Sequence, residues 1–342
     1  MKKFLNNLDE VQIVPAPITT IRHRSECLPY YDAFWSEDGG GWSLCCAHLP
    51  LFTAPMSCVV NDENYRKFDM NNIVPIIPRT VPYERRIELM QEMIWVAMGL
   101  EEFKTFYRNT DKVSDAHICV DVANGHMSAL IDACREAKLL FGQNLVLMAG
   151  NIANPETYKY YAEAGIDYVR VAIGSGGACA TNTLTGIGYD AFHLLQNIRQ
   201  EKNRLEARKN YITEQVIPKI VYDGGCDSIR DIIIALALGA DYVMCGKLFA
   251  QAFEAAGKIV NDSETSSVGR MYYGMSTERA QREMGKTKIR HSEGVEYWVP
   301  IKYTLKEFTS QFEAAICSTM SYCNTTTLED FIGKVKVIKN DS

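Results

Sequence analysis

Short apolar runs recur along the chain, separated by longer stretches in which polar and apolar positions alternate with helical spacing. Residues 51–56 (LFTAPM) read as a first buried strand, 73–77 as a second and 95–100 as a third, the last following a charged helix over 83–93. Strands at 117–122 (HICVDV), 145–148 and 168–173 come next, with helices over 127–141 and 155–164 between them. A seventh strand over 217–222 and an eighth over 242–245 flank a helix over 228–238, where Ser228 is placed to cap and Gly239 to stop it. Nearly continuous apolar strands alternating with helices predict a parallel sheet covered on both faces. Eight such units in about 250 residues predict an α/β fold, a closed (β/α)8 TIM barrel, with an open doubly wound sheet as the alternative. No G-x-G-x-x-G follows the first strand, so a dinucleotide-binding Rossmann unit is not indicated.

Past the eighth strand the pattern changes. Residues 271–276 (MYYGMS) and 286–300 flank a polar helix, and 305–322 closes the barrel as an amphipathic helix. The reading is one barrel domain over 1–342, with 271–300 as a mobile flap over its mouth. The charged stretch 197–210 (NIRQEKNRLEARKN) reads as a helix with a solvated outer face.

The strand ends carry the polar chemistry. Asp121-Val122-Ala123 follows the fourth strand, Asn151 the fifth, Asp223-Gly224-Gly225-Cys226 the seventh and Gly246-Lys247 the eighth. The sixth strand runs into GSGGACATNT, where Gly174, Gly176 and Gly177 crowd together ahead of Cys179 and Thr181. Glycine clustered after a strand permits close backbone approach, and a thiol on such a loop suits a nucleophile. The plainer reading is a tight loop with an incidental buried cysteine. Glycines after the last two strands of such a barrel suit a phosphate held by backbone N–H groups.

The 342 residues are 47% hydrophobic and 23% charged, ordinary for a globular protein with a large core. A net charge of −6 without a long basic run argues against nucleic acid as a partner. The 11 cysteines are scattered and form no C-x-x-C pair, which fits reduced thiols and not a disulfide framework or a zinc site. The amino terminus turns polar and acidic where a signal peptide would be apolar, and no uncharged apolar stretch nears the roughly 18 residues that span a membrane. A cytoplasmic protein with no membrane partner is expected.

From about residue 10 to about residue 325 the chain resembles the IMP dehydrogenase and GMP reductase family. The stretches that carry the resemblance are AGNIANPET, VAIGSGGACATNTLTGIGY, DGGCDSIRDIIIALALGADYVMCG, YYGMS and SEGVEYWVP. DVANG, DGGC with Cys226, and a short segment 274–293 without an Arg-Tyr pair are similar to the reductase branch. The resemblance implies NADPH-dependent reductive deamination of GMP to IMP and ammonia through a covalent cysteine–purine adduct. In that scheme Cys179 is the nucleophile, and Thr181 with Glu293 relays a proton. Ser175, Asp223, Gly224, Gly225, Gly246 and Lys247 hold the nucleotide, with Tyr273, Gly274, Met275, Arg290, Ser292 and Gly294 around the base.

Cofactor contacts are implied for Asp121, Val122, Ala123, Ile173, Gly174 and Arg79. Arg24, Ser318, Thr319 and Ser321 join them across a subunit boundary of a homotetramer. A potassium ion is implied at the carbonyls of Gly174, Gly176 and Cys179. The loop also departs from the family. Ser175 stands for proline, Gly177 for the phosphate-facing serine and Asn182 for arginine, while Lys247 replaces glycine or serine and Arg170 replaces lysine. Two other functions compete with the reductase: a dehydrogenase core without a regulatory domain, taking IMP to XMP with NAD, and a catalytically weak purine-nucleotide-binding barrel.

Overall fold

The alternation of apolar strand and amphipathic helix closes on itself. A computed structural model describes residues 8–31, 34–37, 42–45, 47–177, 181–209, 216–261, 267–288 and 294–340. A short strand β1 (Val11–Ile13) pairs with the last one, and a hairpin of β2 (Phe34–Glu37) and β3 (Trp42–Cys45) follows it. The barrel strands are β4 (Leu51–Thr53), β5 (Ile76–Ile77), β6 (Trp95–Met98), β7 (Ala116–Asp121), β8 (Leu145–Ile152), β9 (Tyr168–Val171), β10 (Lys219–Tyr222) and β11 (Tyr242–Cys245). They form one parallel sheet in which each strand from β5 to β10 lies beside its successor and β11 returns to β4. A parallel bridge between Phe52 and Val74 closes the remaining seam beside β5. The fold is a (β/α)8 barrel, and the open-sheet alternative is excluded.

The strands are apolar almost throughout because helices cover them. The helices are α1 (Tyr65–Asp69), α2 (Tyr83–Gln91), α3 (Leu100–Arg108), α4 (Ser128–Phe141), α5 (Thr157–Glu163), α6 (Thr181–Thr185), α7 (Ala191–Lys209), α8 (Ile229–Leu238) and α9 (Lys247–Ala250). The capping signals around α8 act as read. Ser228 accepts from the Asp231 N–H in a capping box, and Gly239 ends the helix at φ 115°. At the amino-terminal end of the barrel, aromatic rings fill the interior. Phe52 and Trp95 lie 5.7 Å apart, Trp95 and Tyr168 5.3 Å, and Phe52 and Tyr242 4.9 Å. Chemistry is left to the opposite mouth.

Over that mouth lies a sheet that the sequence pattern did not disclose. Strands β12 (Ile259–Asn261), β13 (Val268–Tyr273) and β14 (Glu296–Pro300) pair antiparallel, and α10 (Glu278–Glu283) lies between the last two. The chain ends with α11 (Leu305–Tyr322), α12 (Leu328–Phe331) and β15 (Val337–Lys339). Strand β13 therefore begins at Val268, ahead of residue 271. Arg270 rivets it to the barrel: its fully buried guanidinium donates to the carbonyls of Ala252, Phe253, Ala255 and Gly257.

The expectation of a solvated outer face on the charged helix holds only in part. Lys202 of α7 is buried and pairs with Asp241 at 2.7 Å, while the same carboxylate accepts from the Ile220 N–H at 2.6 Å. A charge run read along the chain cannot say which of its members turns inward. Removing one member of a buried pair strands the other charge. Lys202→Met is expected to lower the urea-unfolding free energy by about 3–5 kcal/mol. A loss under about 1 kcal/mol would mean that water still reaches Asp241.

Candidate active site

The ends of seven of the eight barrel strands, all but β6, and the segment after β13 enclose one cavity of about 520 Å³. That is ample for a small organic ligand. The loops meet by backbone contact. Gly225 sits at φ 79°, and a Cβ there would lie 2.7 Å from the Ser175 carbonyl oxygen, so only glycine lets the loops after β9 and β10 touch.

The wall of the cavity is organised by a buried guanidinium. Arg170, on β9, donates to Asp121 Oδ1 at 2.7 Å and to Asp223 Oδ2 at 2.7 Å, tying the ends of β7 and β10 together. Burial opposes the Arg170 charge, but the Asp223 and Asp121 carboxylates around it raise its affinity for the proton well above the ordinary value. Burial likewise works to raise the Asp121 carboxyl, yet the Arg170 and Arg79 guanidiniums outweigh it and hold it below the usual range. Cys119, beneath Arg170 at 3.7 Å, is pushed up to about 12 by burial and stays a thiol.

Asn151 completes the group, donating to Asp223 Oδ2 and to the Ala172 carbonyl, both at 3.0 Å. It reaches them because the β8–β9 register shifts between Ala149 and Ile152. Gly150 permits that shift: at φ 150°, its Cβ would lie 2.5 Å from the Arg170 carbonyl oxygen. The bonds that Asp223 receives from Arg170 and Asn151 fall on Oδ2, which leaves the acceptor capacity of Oδ1 for a ligand.

At another end of the cavity Gly225, Gly246, Lys247 and Tyr272 converge, and the Lys247 ammonium pairs with Asp227 at 2.9 Å. Among the described residues no group of three or more His, Cys, Asp or Glu side chains is placed to hold a metal ion. The cysteines whose side chains are described are free thiols, and no described helix is long and apolar enough to cross a membrane.

A family model described as IMP dehydrogenase / GMP reductase domain matches residues 49–342. This chain belongs to the IMP dehydrogenase/GMP reductase family. It is 25% identical over 334 residues to a GMP reductase of Shewanella pealeana, covering 94% of this chain and 91% of that protein. With a GMP reductase of Clostridium acetobutylicum the identity is 27% over 330 residues, with the same coverages of 94% and 91%. An inosine-5'-monophosphate dehydrogenase of Chlorobaculum parvum is 30% identical over 232 residues, 65% of this chain but only 44% of that protein.

The cavity gathers many of the residues that the family resemblance implied. Thr181, Asp223, Gly225, Gly246 and Lys247 line it, as do Gly274 and Met275 from the flap. So do Arg79, Asp121, Val122 and Ala123, together with Ile173, Gly174 and Gly176 from the cysteine loop. Cys179, Arg290, Ser292 and Glu293 lie outside the described residues.

Four expected nucleotide contacts face elsewhere. Ser175 is buried below the loop, its hydroxyl without a hydrogen-bond partner. Gly224 packs against the Tyr222 ring, and Gly294 against Thr277 at the start of α10. Tyr273 turns away from the cavity, its hydroxyl donating to Glu283 at 2.9 Å and lying 3.2 Å from that of Ser57. Its neighbour Tyr272 is the one that lines the site. Side chains alternate faces along a strand, so MYYGMS could not say which tyrosine points inward until β13 was placed.

Arg24, Ser318, Thr319 and Ser321 do not line this cavity. Thr319 instead borders a separate groove between β1, α8 and α11. Arg170, Asn151 and Asp227 were not assigned as site residues. A lone charge within the apolar run VRVAI, with aspartates ending two nearby strands, was the available signal for Arg170.

Arg170→Met leaves two carboxylates facing each other without their cation, an expected cost of about 3–5 kcal/mol at neutral pH. In the wild type the lowered Asp121 pKa contributes stability that persists until pH falls through its depressed folded value. In the variant, burial dominates and raises that pKa. The deficit should therefore shrink as pH falls from about 7 to about 4.5, when the buried carboxyl takes up a proton. Urea unfolding of both proteins at the two pH values tests this; a pH-independent deficit would place the loss in packing.

Proposed function

We propose that this chain is a GMP reductase, an oxidoreductase converting GMP, NADPH and protons to IMP, ammonium and NADP+. The observation that carries the reading is a single cavity in which Thr181 of the cysteine loop meets Asp223 and Asp121, each set by Arg170. Nearly end-to-end alignment with proteins named GMP reductase supports it.

In this reading the Cys179 thiolate adds to C2 of the purine. Splitting a difficult substitution into two steps is what a thiolate nucleophile achieves. The amino group leaves only once protonated, a task for Thr181 and Glu293. Asp223, oriented through Oδ2 by Arg170 and Asn151, accepts from the ribose hydroxyls, and Lys247 faces the phosphate. The Arg79–Asp121 edge suits a nicotinamide cofactor. Arg79 Nε is buried without a hydrogen-bond partner, its nearest carboxylate oxygen lying 3.4 Å away, beside the Val122 and Ala123 wall. When bound, that cofactor supplies the hydride that replaces the amino group. Because Arg24, Ser318, Thr319 and Ser321 lie away from their own chain's cavity, a cofactor role for them requires a neighbouring copy.

Absorbance of the reduced cofactor separates the alternatives. GMP with NADPH is expected to turn over, and IMP with NAD+ in water is not. The reverse preference would make the chain a dehydrogenase, and binding without turnover a nucleotide-binding barrel. Cys179→Ala is expected to bind GMP while losing turnover; activity within about tenfold of wild type would remove Cys179 as the nucleophile.

A further inference from the structure

The flap sheet delivers two tyrosines to places where the barrel has no side chain. Tyr272 and Tyr297 are direct partners across β13 and β14, their rings 5.4 Å apart and inclined at 70°. A Cβ added at Gly246 would lie 2.6 Å from the Tyr272 hydroxyl, and one at Gly177 would lie 2.7 Å from the Tyr297 hydroxyl. Each hydroxyl thus fills the volume of a side chain that a barrel loop lacks. Gly177 and Lys247 line the cavity, and the Gly177 Cβ position lies 3.9 Å from Lys247 Cδ, so the Tyr297 hydroxyl and the lysine stem approach the same loop position.

That position has the chemistry of an anion site. Burial pushes the Tyr297 hydroxyl up to about 12 and that of Tyr272 well above its ordinary value, so both keep their protons and can donate. Lys247 is held by Asp227, whose side chain is 60% exposed. An exposed carboxylate returns to water at small cost, so the lysine can exchange it for a ligand anion. Arg170, buried between two carboxylates, has no such freedom.

We infer that Tyr297 is a specificity-determining residue, whose hydroxyl replaces a side chain at position 177 and, beside Lys247, binds the phosphate of a nucleoside 5'-monophosphate. The inference rests on the purine-nucleotide reading above and adds to it the group that separates nucleotide from nucleoside. It also explains why Gly177 must be small: the loop yields its side-chain volume to the flap.

Calorimetric titration of the full chain with GMP and with guanosine tests it. Tyr297→Phe keeps the ring packing and removes only the oxygen. GMP affinity should fall roughly tenfold or more while guanosine affinity stays the same, as expected for loss of one hydrogen bond to a charged group. Gly177→Ser should weaken GMP binding in the wild-type background, where its Cβ meets the tyrosine oxygen. Combined with Tyr297→Phe, the same serine has room and restores a hydroxyl, so GMP affinity should return to within about threefold of wild type. Equal losses for GMP and guanosine in Tyr297→Phe, or a serine effect identical in both backgrounds, overturn the inference alone. A wild-type chain that binds neither GMP nor IMP overturns the purine reading and this inference with it.

Discussion

Arg170 carries a full charge into the wall of an otherwise apolar barrel, and much of the site is arranged around it. A buried guanidinium needs its donors satisfied and its charge balanced, and Asp121 and Asp223 do both from the ends of β7 and β10. The consequence is geometric. Two strand ends that would otherwise be joined only by loops are fixed to a third at 2.7 Å, and the Asp121 carboxyl is held below its usual range although burial works to raise it. Asn151 reaches the same cluster only through the irregular end of β8, which Gly150 allows. Lengthening or shortening any of these strands by one residue would aim the wrong face of the pleat at the mouth.

The barrel was legible in the chain because parallel strands covered on both faces are apolar throughout, and each of the eight predicted runs overlaps one, although β8 continues four residues past its predicted end. The caps of α8 and the extent of α11 were legible for a local reason, since Ser228, Gly239 and Thr304 act on their own neighbours. What escaped depends on partners far away in sequence. Lys202 looks like any lysine of a charged helix until Asp241, on the β10–β11 side, is packed against it. Tyr272 and Tyr273 are indistinguishable in sequence, and only strand parity in β13 decides which enters the cavity. Ser175 sits beside glycines that do line the mouth, yet the loop's turn buries it. The antiparallel flap sheet was hidden because its strands are separated by α10 and bear mixed polar and apolar faces.

The departures from the family's loop pattern become coherent when barrel and flap are considered together. Loss of a side chain at Gly177 would leave a gap if the flap were unchanged; the Tyr297 hydroxyl occupies it. Lys247 adds a charge that the barrel loops lack there, and Asp227 balances it at 2.9 Å. Substitutions that look independent along the chain share one volume and one charge balance.

The flap itself is held in two different ways, and the difference has a mechanical meaning. Its sheet is fixed by Arg270, whose four carbonyl acceptors lie in the segment after α9; releasing them would strand a buried guanidinium and several backbone groups at once. The end of its helix α10 carries Glu283, which accepts from Ser57 of the barrel at 2.6 Å and from Tyr273 of β13 at 2.9 Å, near solvent. Water can replace those two bonds readily, but not the four beneath the sheet. Ser276, Gln281, Met284 and Lys286, which line the cavity, belong to the part joined by the two outer bonds, while Tyr272 and Tyr297 belong to the sheet that Arg270 fixes.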